Sequence, residues 1–238
     1  RAIGHSEVRT AQAIIQTQIH HIRRKLKKIH LQAMSNKYLI LSAQAISLLF
    51  SPFYMPVVAF LALFVFSYMS LLPPSYKAML LLMVWLFTVI LPRLSIFTYR
   101  KLNGWTRHGL GRRTNRYVPY LLSMMNYALL LYLMERMHMP RFTLGIIAGA
   151  LALQIVCAVL NNWIKVSTHA AASGGVIGAL LAFSEIFSFD PTWWLCFSIL
   201  LCGLVCTSRL ILRQHSLSDI GLGVLIGILC GYLCVRFM

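Results

Sequence analysis

The sequence is organised around residues 208–219, which read Ser-Arg-Leu-Ile-Leu-Arg-Gln-His-Ser-Leu-Ser-Asp. This stretch places two arginines, a histidine and a carboxylate within a chain that is 59% hydrophobic and has only five acidic residues. His215 and Asp219 are four residues apart, so on a helix their side chains lie on one face, one turn from each other. The simplest interpretation is a polar loop between two membrane helices, and the rest of the sequence decides between that loop and a functional site.

The composition is that of a membrane protein. The mean hydropathy is +0.73 and charged residues make up 11% of the chain. Several apolar runs exceed the roughly 18–20 residues that cross a bilayer as a helix. We therefore predict an all-α, polytopic transmembrane helical bundle with six or seven spans, the number depending on whether the first run, interrupted by Pro52 and Pro56, crosses. The candidate spans are about 41–70, 76–99, 119–136, 142–164, 170–187, 192–210 and 217–236.

The N-terminal segment, residues 1–37, is polar and strongly basic. Isoleucines and leucines recur in it at helical spacing between lysines and arginines, which predicts a basic amphipathic helix on anionic lipid headgroups. A solvated, positively charged topogenic segment is the alternative. Residues 38–238 are predicted to form one transmembrane domain. The net charge of +17 favours anionic lipids or phosphorylated substrates as partners over nucleic acid, because no aromatic-basic alternation suited to base stacking occurs.

Small residues are placed where two of the predicted helices can pack closely. Gly223, Gly227 and Gly231 repeat every four residues on the last span, directly after His215 and Asp219. Small faces let helix backbones approach each other in lipid, so this packing is expected to fix the histidine and the carboxylate. All six cysteines lie in or beside apolar runs, and we interpret them as packing residues rather than metal ligands or disulfide partners.

Three polar clusters stand between spans, at residues 112–119, 165–169 and 208–219. Two predicted crossings separate each cluster from the next, so all three are expected on one face of the membrane. Arginines, a serine hydroxyl and a helix N-terminus can together bind a tetrahedral oxyanion. Two histidines can divide phosphoryl transfer between nucleophile and general acid. A metal site is less expected, because Asp219 is the one carboxylate near these clusters.

The clusters resemble the three signatures of the type 2 phosphatidic acid phosphatase superfamily, over roughly residues 107–236. Ser208-Arg209, five residues, His215, three residues and Asp219 resemble the third signature. The run 167–169, Ser-Thr-His, resembles the Ser-Gly-His of the second.

The first signature is present only in a loosened form. It normally has a lysine, six residues and Arg-Pro, and is matched here by Arg116 and Pro119, with Gly109 in the position of the lysine. Arg113, one turn from Arg116, could supply the second cation. In the second signature, Val166 and Thr168 stand where Pro and Gly are common, so the backbone is expected to approach the phosphate differently.

The resemblance implies a role for each matched residue. His215 would be the nucleophile that forms a phosphohistidine, Asp219 would orient it, and His169 would be the general acid for the leaving alcohol. The phosphate would be bound by Arg209, Ser167, Thr168, Arg116 and Arg113. No metal or other cofactor is implied.

The sequence thus predicts an integral-membrane phosphatase acting on a lipid phosphate or pyrophosphate. Lipid A phosphates, undecaprenyl pyrophosphate, phosphatidylglycerol phosphate and phosphatidic acid are all candidate substrates. A lipid phosphotransferase with the same phosphohistidine and a non-catalytic anionic-lipid binder or transporter are the alternatives. The resemblance implies a bacterial inner membrane with the site on the periplasmic face. The full count of basic residues would favour the cytoplasmic face under the positive-inside rule, but it decides nothing once residues 1–37 and the phosphate-binding arginines are left out. Oligomeric state is left open.

Overall fold

The computed structural model describes residues 37–102 and 117–238, and within these ranges it contains helices and no strand. Residues 1–36 of the predicted amphipathic helix, and the first-cluster residues Arg113 and Arg116, lie outside the described ranges. The helices are α1 (described for 37–49), α2 (Met55–Phe66), α3 (Pro74–Trp85), α4 (Leu91–Leu102), α5 (Tyr117–Arg136), α6 (Arg141–Leu160), α7 (Thr168–Phe187), α8 (Thr192–Ile211) and α9 (Leu217–Phe237). A π-helical turn, Leu86–Ile90, joins α3 to α4.

The described helices confirm the predicted polytopic helical bundle. Six stretches are long and apolar enough to cross a membrane, namely Lys37–Val65, Pro74–Tyr99, Arg141–Leu160, Thr168–Phe187, Thr192–Ile211 and Leu217–Phe237. The predicted span 119–136 is not among them. It forms α5, a helix of 20 residues that packs along α6, but polar side chains such as Tyr120, Ser123 and Asn126 lower its hydropathy.

The first apolar stretch is bent where its prolines predicted an interruption. Helix α1 gives way at Ser51 to a 3-10 turn, Pro52–Tyr54, and α2 follows. Proline has no N–H to donate, so a helix can begin at Pro52 but cannot run through it. Among the described residues of α1, only Ala43 and Ser47 are buried. From the bend, α2 runs to the far end of the bundle, where Phe60 and Leu63 join the hydrophobic core.

Helices α7 and α9 make the most extensive contact in the described part of the chain. A Cβ placed on Gly223 would lie 2.8 Å from the carbonyl oxygen of Ser167. One placed on Gly227 or Gly231 would collide with the carbonyl oxygens of Ala171 and Gly175. The glycine repeat therefore brings the two backbones into direct contact, as the spacing predicted.

Helix α6 packs against the other side of α9 in the same manner. A Cβ on Gly145 would lie 2.6 Å from the carbonyl oxygen of Cys234, and one on Gly149 would lie 3.3 Å from that of Cys230. Helices α6, α7 and α9 thus form a closely packed core triplet. The helices α1 to α5 and α8 surround this triplet, and the turns between them position the polar clusters.

Candidate active site

One cavity of about 390 Å³ opens between the core triplet and helices α2, α4 and α5. Thr168 and His169 from the start of α7, Arg209 from the last turn of α8, and His215 from the following turn all line one end of it. The second and third polar clusters, separated by two helices in the sequence, therefore meet in space. We call this part of the cavity its polar end.

His215 and Asp219 lie next to each other at the start of α9. The Asp219 Oδ2 is 3.8 Å from the His215 Nδ1, which is within ion-pair range but longer than a hydrogen bond. The same oxygen accepts a hydrogen bond of 3.0 Å from the Ser216 N–H, and the Asp219 N–H donates to the Ser216 hydroxyl at 3.2 Å. Asp219 thus forms the capping box of α9 while its charge faces the imidazole. At this distance the carboxylate and the imidazole are in ion-pair contact but are not hydrogen-bonded to each other.

Ser167 has a structural position that the sequence resemblance did not reveal. Its side chain caps α7 by accepting a hydrogen bond of 3.4 Å from the Ala170 N–H, and the residue is completely buried. Its backbone N–H donates to the carbonyl oxygen of Asp219 at 3.3 Å, which ties the second cluster to the third. Ser167 itself does not line the cavity, whereas the next residue, Thr168, does.

His169 is the second histidine of the polar end. Its ring lies against the backbone of Ser47 and close to both Arg209 and His215. Its Nδ1 atom is buried and has no hydrogen-bond partner among the described residues. A buried ring nitrogen that lines a cavity is suited to exchange a proton with a bound molecule.

Arg209 is held by a residue that sequence reasoning missed. Its Nη1 donates a hydrogen bond of 2.7 Å to the hydroxyl of Ser47 on α1, and both side chains are buried. Ser51, one turn further along the first stretch, lines the cavity with His215. The signal available in the sequence was the spacing of Ala43, Ser47 and Ser51, small residues four apart in an otherwise apolar run.

The first polar cluster is only partly described. Pro119, the last residue of that cluster, and the adjacent Tyr120 line the cavity at the start of α5, so the described end of the cluster reaches the cavity. Among the described residues, no group of three or more histidine, cysteine or acidic side chains could hold a metal ion. Arg209 and the two histidines carry N–H groups that can donate hydrogen bonds to an oxyanion, and the bonds from the guanidinium are charge-assisted.

The cavity continues from its polar end into the bundle as an apolar slot. Along α6 it reaches from Cys157 to Gly145, and twelve residues at about 1.5 Å each give a depth of about 18 Å. Small and apolar residues line most of it, among them Gly149, Ala150, Ala172, Val176, Ala179 and Gly231. Gln154 is a polar exception, and its buried Oε1 has no hydrogen-bond partner in the described ranges.

Together, the described helices and the cavity indicate a multi-pass helical membrane protein with two histidines and an arginine at one end of an internal cavity. The model of the PAP2 superfamily matches residues 161–238, which comprise the second and third clusters and helices α7 to α9. This match confirms the resemblance to the type 2 phosphatidic acid phosphatase superfamily in this part of the chain, and the members of that superfamily are generally phosphatases. No curated protein and no solved structure matches the chain.

Proposed function

We propose that the protein is an integral-membrane phosphatase that hydrolyses a lipid phosphate or lipid pyrophosphate through a phosphohistidine. The observation that carries this proposal is the shape of the cavity, which joins a cationic, histidine-lined end to an apolar slot. A phosphate and the hydrocarbon chain attached to it need these two environments in this order.

The reaction follows from the two histidines. His215 Nε2 attacks phosphorus, an N–P bond forms, and the P–O bond to the lipid breaks while His169 donates a proton to the leaving oxygen. His169 then accepts a proton from water as the water attacks phosphorus, the N–P bond breaks, and inorganic phosphate leaves. Arg209 binds the phosphoryl oxygens and stabilises the charge that grows on them. Asp219, 3.8 Å away, stabilises the positive charge on His215.

The slot determines which lipids the protein accepts more than how tightly it binds them. A hydrocarbon chain that moves from the bilayer into an apolar slot exchanges one apolar environment for another, so little free energy is gained. The affinity for the lipid substrate therefore comes from the phosphate contacts. The slot determines which hydrocarbon chains can enter the cavity together with the headgroup. Lipid A phosphates, undecaprenyl pyrophosphate, phosphatidylglycerol phosphate and phosphatidic acid all meet this requirement. The family resemblance supports a bacterial inner membrane and a periplasmic active site.

The test is a phosphate-release screen with the purified protein in lipid nanodiscs. The substrates are the four lipid classes and glycerol 3-phosphate, which has the headgroup of phosphatidic acid without its chains. We expect release from at least one lipid and less from glycerol 3-phosphate, because only a lipid is concentrated in the bilayer beside the cavity. We expect a loss of about 10⁴-fold or more in His215→Ala, because the nucleophile is gone.

Two results would overturn the proposal. One is phosphate release that persists in His215→Ala, and the other is the lack of release from every lipid. A radiolabelled substrate separates hydrolysis from the phosphotransferase alternative, since transfer labels an acceptor molecule and hydrolysis labels free phosphate.

A further inference from the structure

We infer that Ser47 of α1 is a positioning residue that holds Arg209 and His169 in place, so that α1 completes the active site. This inference rests on the proposed function and extends it to a helix outside the match to the PAP2 superfamily, which begins at residue 161.

The first support is the hydrogen bond between Ser47 and Arg209. The guanidinium Nη1 donates to the serine hydroxyl at 2.7 Å across 162 residues of sequence. Ser47 is 7% exposed and Arg209 is 9% exposed, so water cannot readily replace the hydroxyl. A guanidinium at a cavity needs fixed partners to present its remaining N–H groups to a phosphate in one orientation.

The second support is that Ser47 also contacts His169. The imidazole ring lies against the Ser47 backbone, so one residue touches both the phosphate-binding cation and the general acid. The position of Arg209 and that of His169 therefore both depend on where α1 lies.

The third support is the pattern of burial on α1. Ala43 and Ser47 are buried one turn apart, and Ser51 continues this small-residue stripe into the cavity wall. The neighbouring Leu48 and Leu49 are each 69% exposed. Helix α1 thus packs its face of small residues against the active site. Its opposite, apolar face is exposed and is suited to contact lipid.

The loss of the hydroxyl has a defined consequence. In Ser47→Ala the Arg209 Nη1 loses this acceptor, and the guanidinium can then rotate away from the orientation that suits phosphate. Binding of an oxyanion should weaken about tenfold, equivalent to about 1.4 kcal/mol. The KM for the lipid substrate should rise with it.

The experiment uses the full chain in nanodiscs and measures the Kd for orthovanadate, together with kcat and KM for the lipid found in the screen. Ser47→Cys keeps the size of serine but has only a weak acceptor, while Ser47→Thr keeps the hydroxyl. Ser42→Ala is the matched control, because Ser42 is exposed on the same helix and its hydroxyl bonds the Leu39 carbonyl at 3.0 Å. Each serine variant is also combined with Arg209→Ala in a double-mutant cycle.

We expect Ser47→Ala and Ser47→Cys to raise the vanadate Kd about tenfold, Ser47→Thr to restore it, and Ser42→Ala to leave it unchanged. In the Arg209→Ala background, Ser47→Ala should not change the vanadate Kd further. If Ser47 only stabilised the fold, it would weaken vanadate binding in both backgrounds. An equal effect in both backgrounds, or a Ser47→Cys protein with unchanged binding, would overturn the inference. Absence of lipid hydrolysis by the unsubstituted protein would refute the proposed function, while the vanadate cycle would still test Ser47.

Discussion

Two of the walls of the cavity are built by different means. The wall formed by α7 and α9 is packed backbone against backbone through glycines and carries His169 and His215. The wall formed by the bent first stretch supplies Ser47 and Ser51, and most described residues of α1 are exposed or half-buried. The PAP2 superfamily model matches the first wall and not the second.

Under the proposed function, this difference follows from what each wall has to do. A nucleophile and a general acid must be held within about 0.5 Å of their working geometry, which closely packed backbones provide. A wall that orients an arginine and borders a lipid chain tolerates more variation. Three changes, all in the first wall, sharpen this contrast by separating the contributions of its backbone packing, of the charge beside His215 and of its side-chain ion pair.

The largest effect is expected for Gly227→Ala. The added Cβ would collide with the carbonyl oxygen of Ala171, and neither backbone can move without separating α7 from α9. We expect a destabilisation of about 3 kcal/mol or more, since overpacking against backbone is poorly relieved. Thermal unfolding and the monodisperse fraction after detergent extraction measure it.

Gly221→Ala on the same helix is the control, because nothing lies within 4 Å of its Cβ position. It should fold normally and gain up to about 1 kcal/mol, since alanine is the better helix former. Equal behaviour of the two variants would contradict the tight α7–α9 contact.

A smaller effect is expected for Asp219→Asn. Asparagine keeps an oxygen that can accept from the Ser216 N–H, so the cap of α9 survives, but the charge 3.8 Å from His215 is lost. We expect kcat to fall about 10²-fold, or ~2.7 kcal/mol in activation free energy, with little change in thermal stability.

Ser216→Ala tests how much the same capping box contributes to stability. It removes the hydroxyl that accepts from the Asp219 N–H and should lower stability by about 1 kcal/mol. The rate of phosphate release should remain close to that of the unsubstituted protein. If Ser216→Ala slows the reaction as much as Asp219→Asn does, the carboxylate acts through the cap and not through its charge.

The smallest effect is expected for Glu185→Gln. At the far end of the bundle, Glu185 on α7 accepts hydrogen bonds from Tyr232 and from Arg236 on α9, the latter at 3.0 Å. The side chains of Glu185 and Arg236 are nearly half exposed, so this ion pair contributes less than about 1 kcal/mol. Thermal unfolding should shift slightly and phosphate release should not change. A large loss of stability would show that the first wall depends on side chains rather than on its glycines.

The sequence predicted those features that depend on local spacing. Apolar runs of membrane-spanning length predicted the bundle, Pro52 predicted the bend, and the four-residue glycine repeat predicted the close contact of α9. Such features can be predicted because they depend on residues close together in the sequence, such as the residues on one helix face or a proline that lacks its N–H.

Contacts of a side chain that can bond to several alternative groups were not predictable from the sequence. The spacing of His215 and Asp219 placed both on one face, and Ser216 three residues before Asp219 is the pattern of a capping box, but the sequence could not show which of the two contacts the carboxylate would make. Ser167 matched a signature, yet its hydroxyl caps α7 and the residue is buried. The bond from Arg209 to Ser47 joins residues 162 apart, and no periodicity reports such a contact.

The glycine contacts of α7 and α9 also determine how the protein responds to bilayer thickness. A bilayer that is thinner or thicker than the helices forces some of them to tilt. Sliding α9 along α7 would drive helix backbone into helix backbone, and the Ser167–Asp219 bond would break as well. Tilt is therefore expected in α2 to α4, so the spacing between the two histidines stays constant while the width of the slot changes with the membrane.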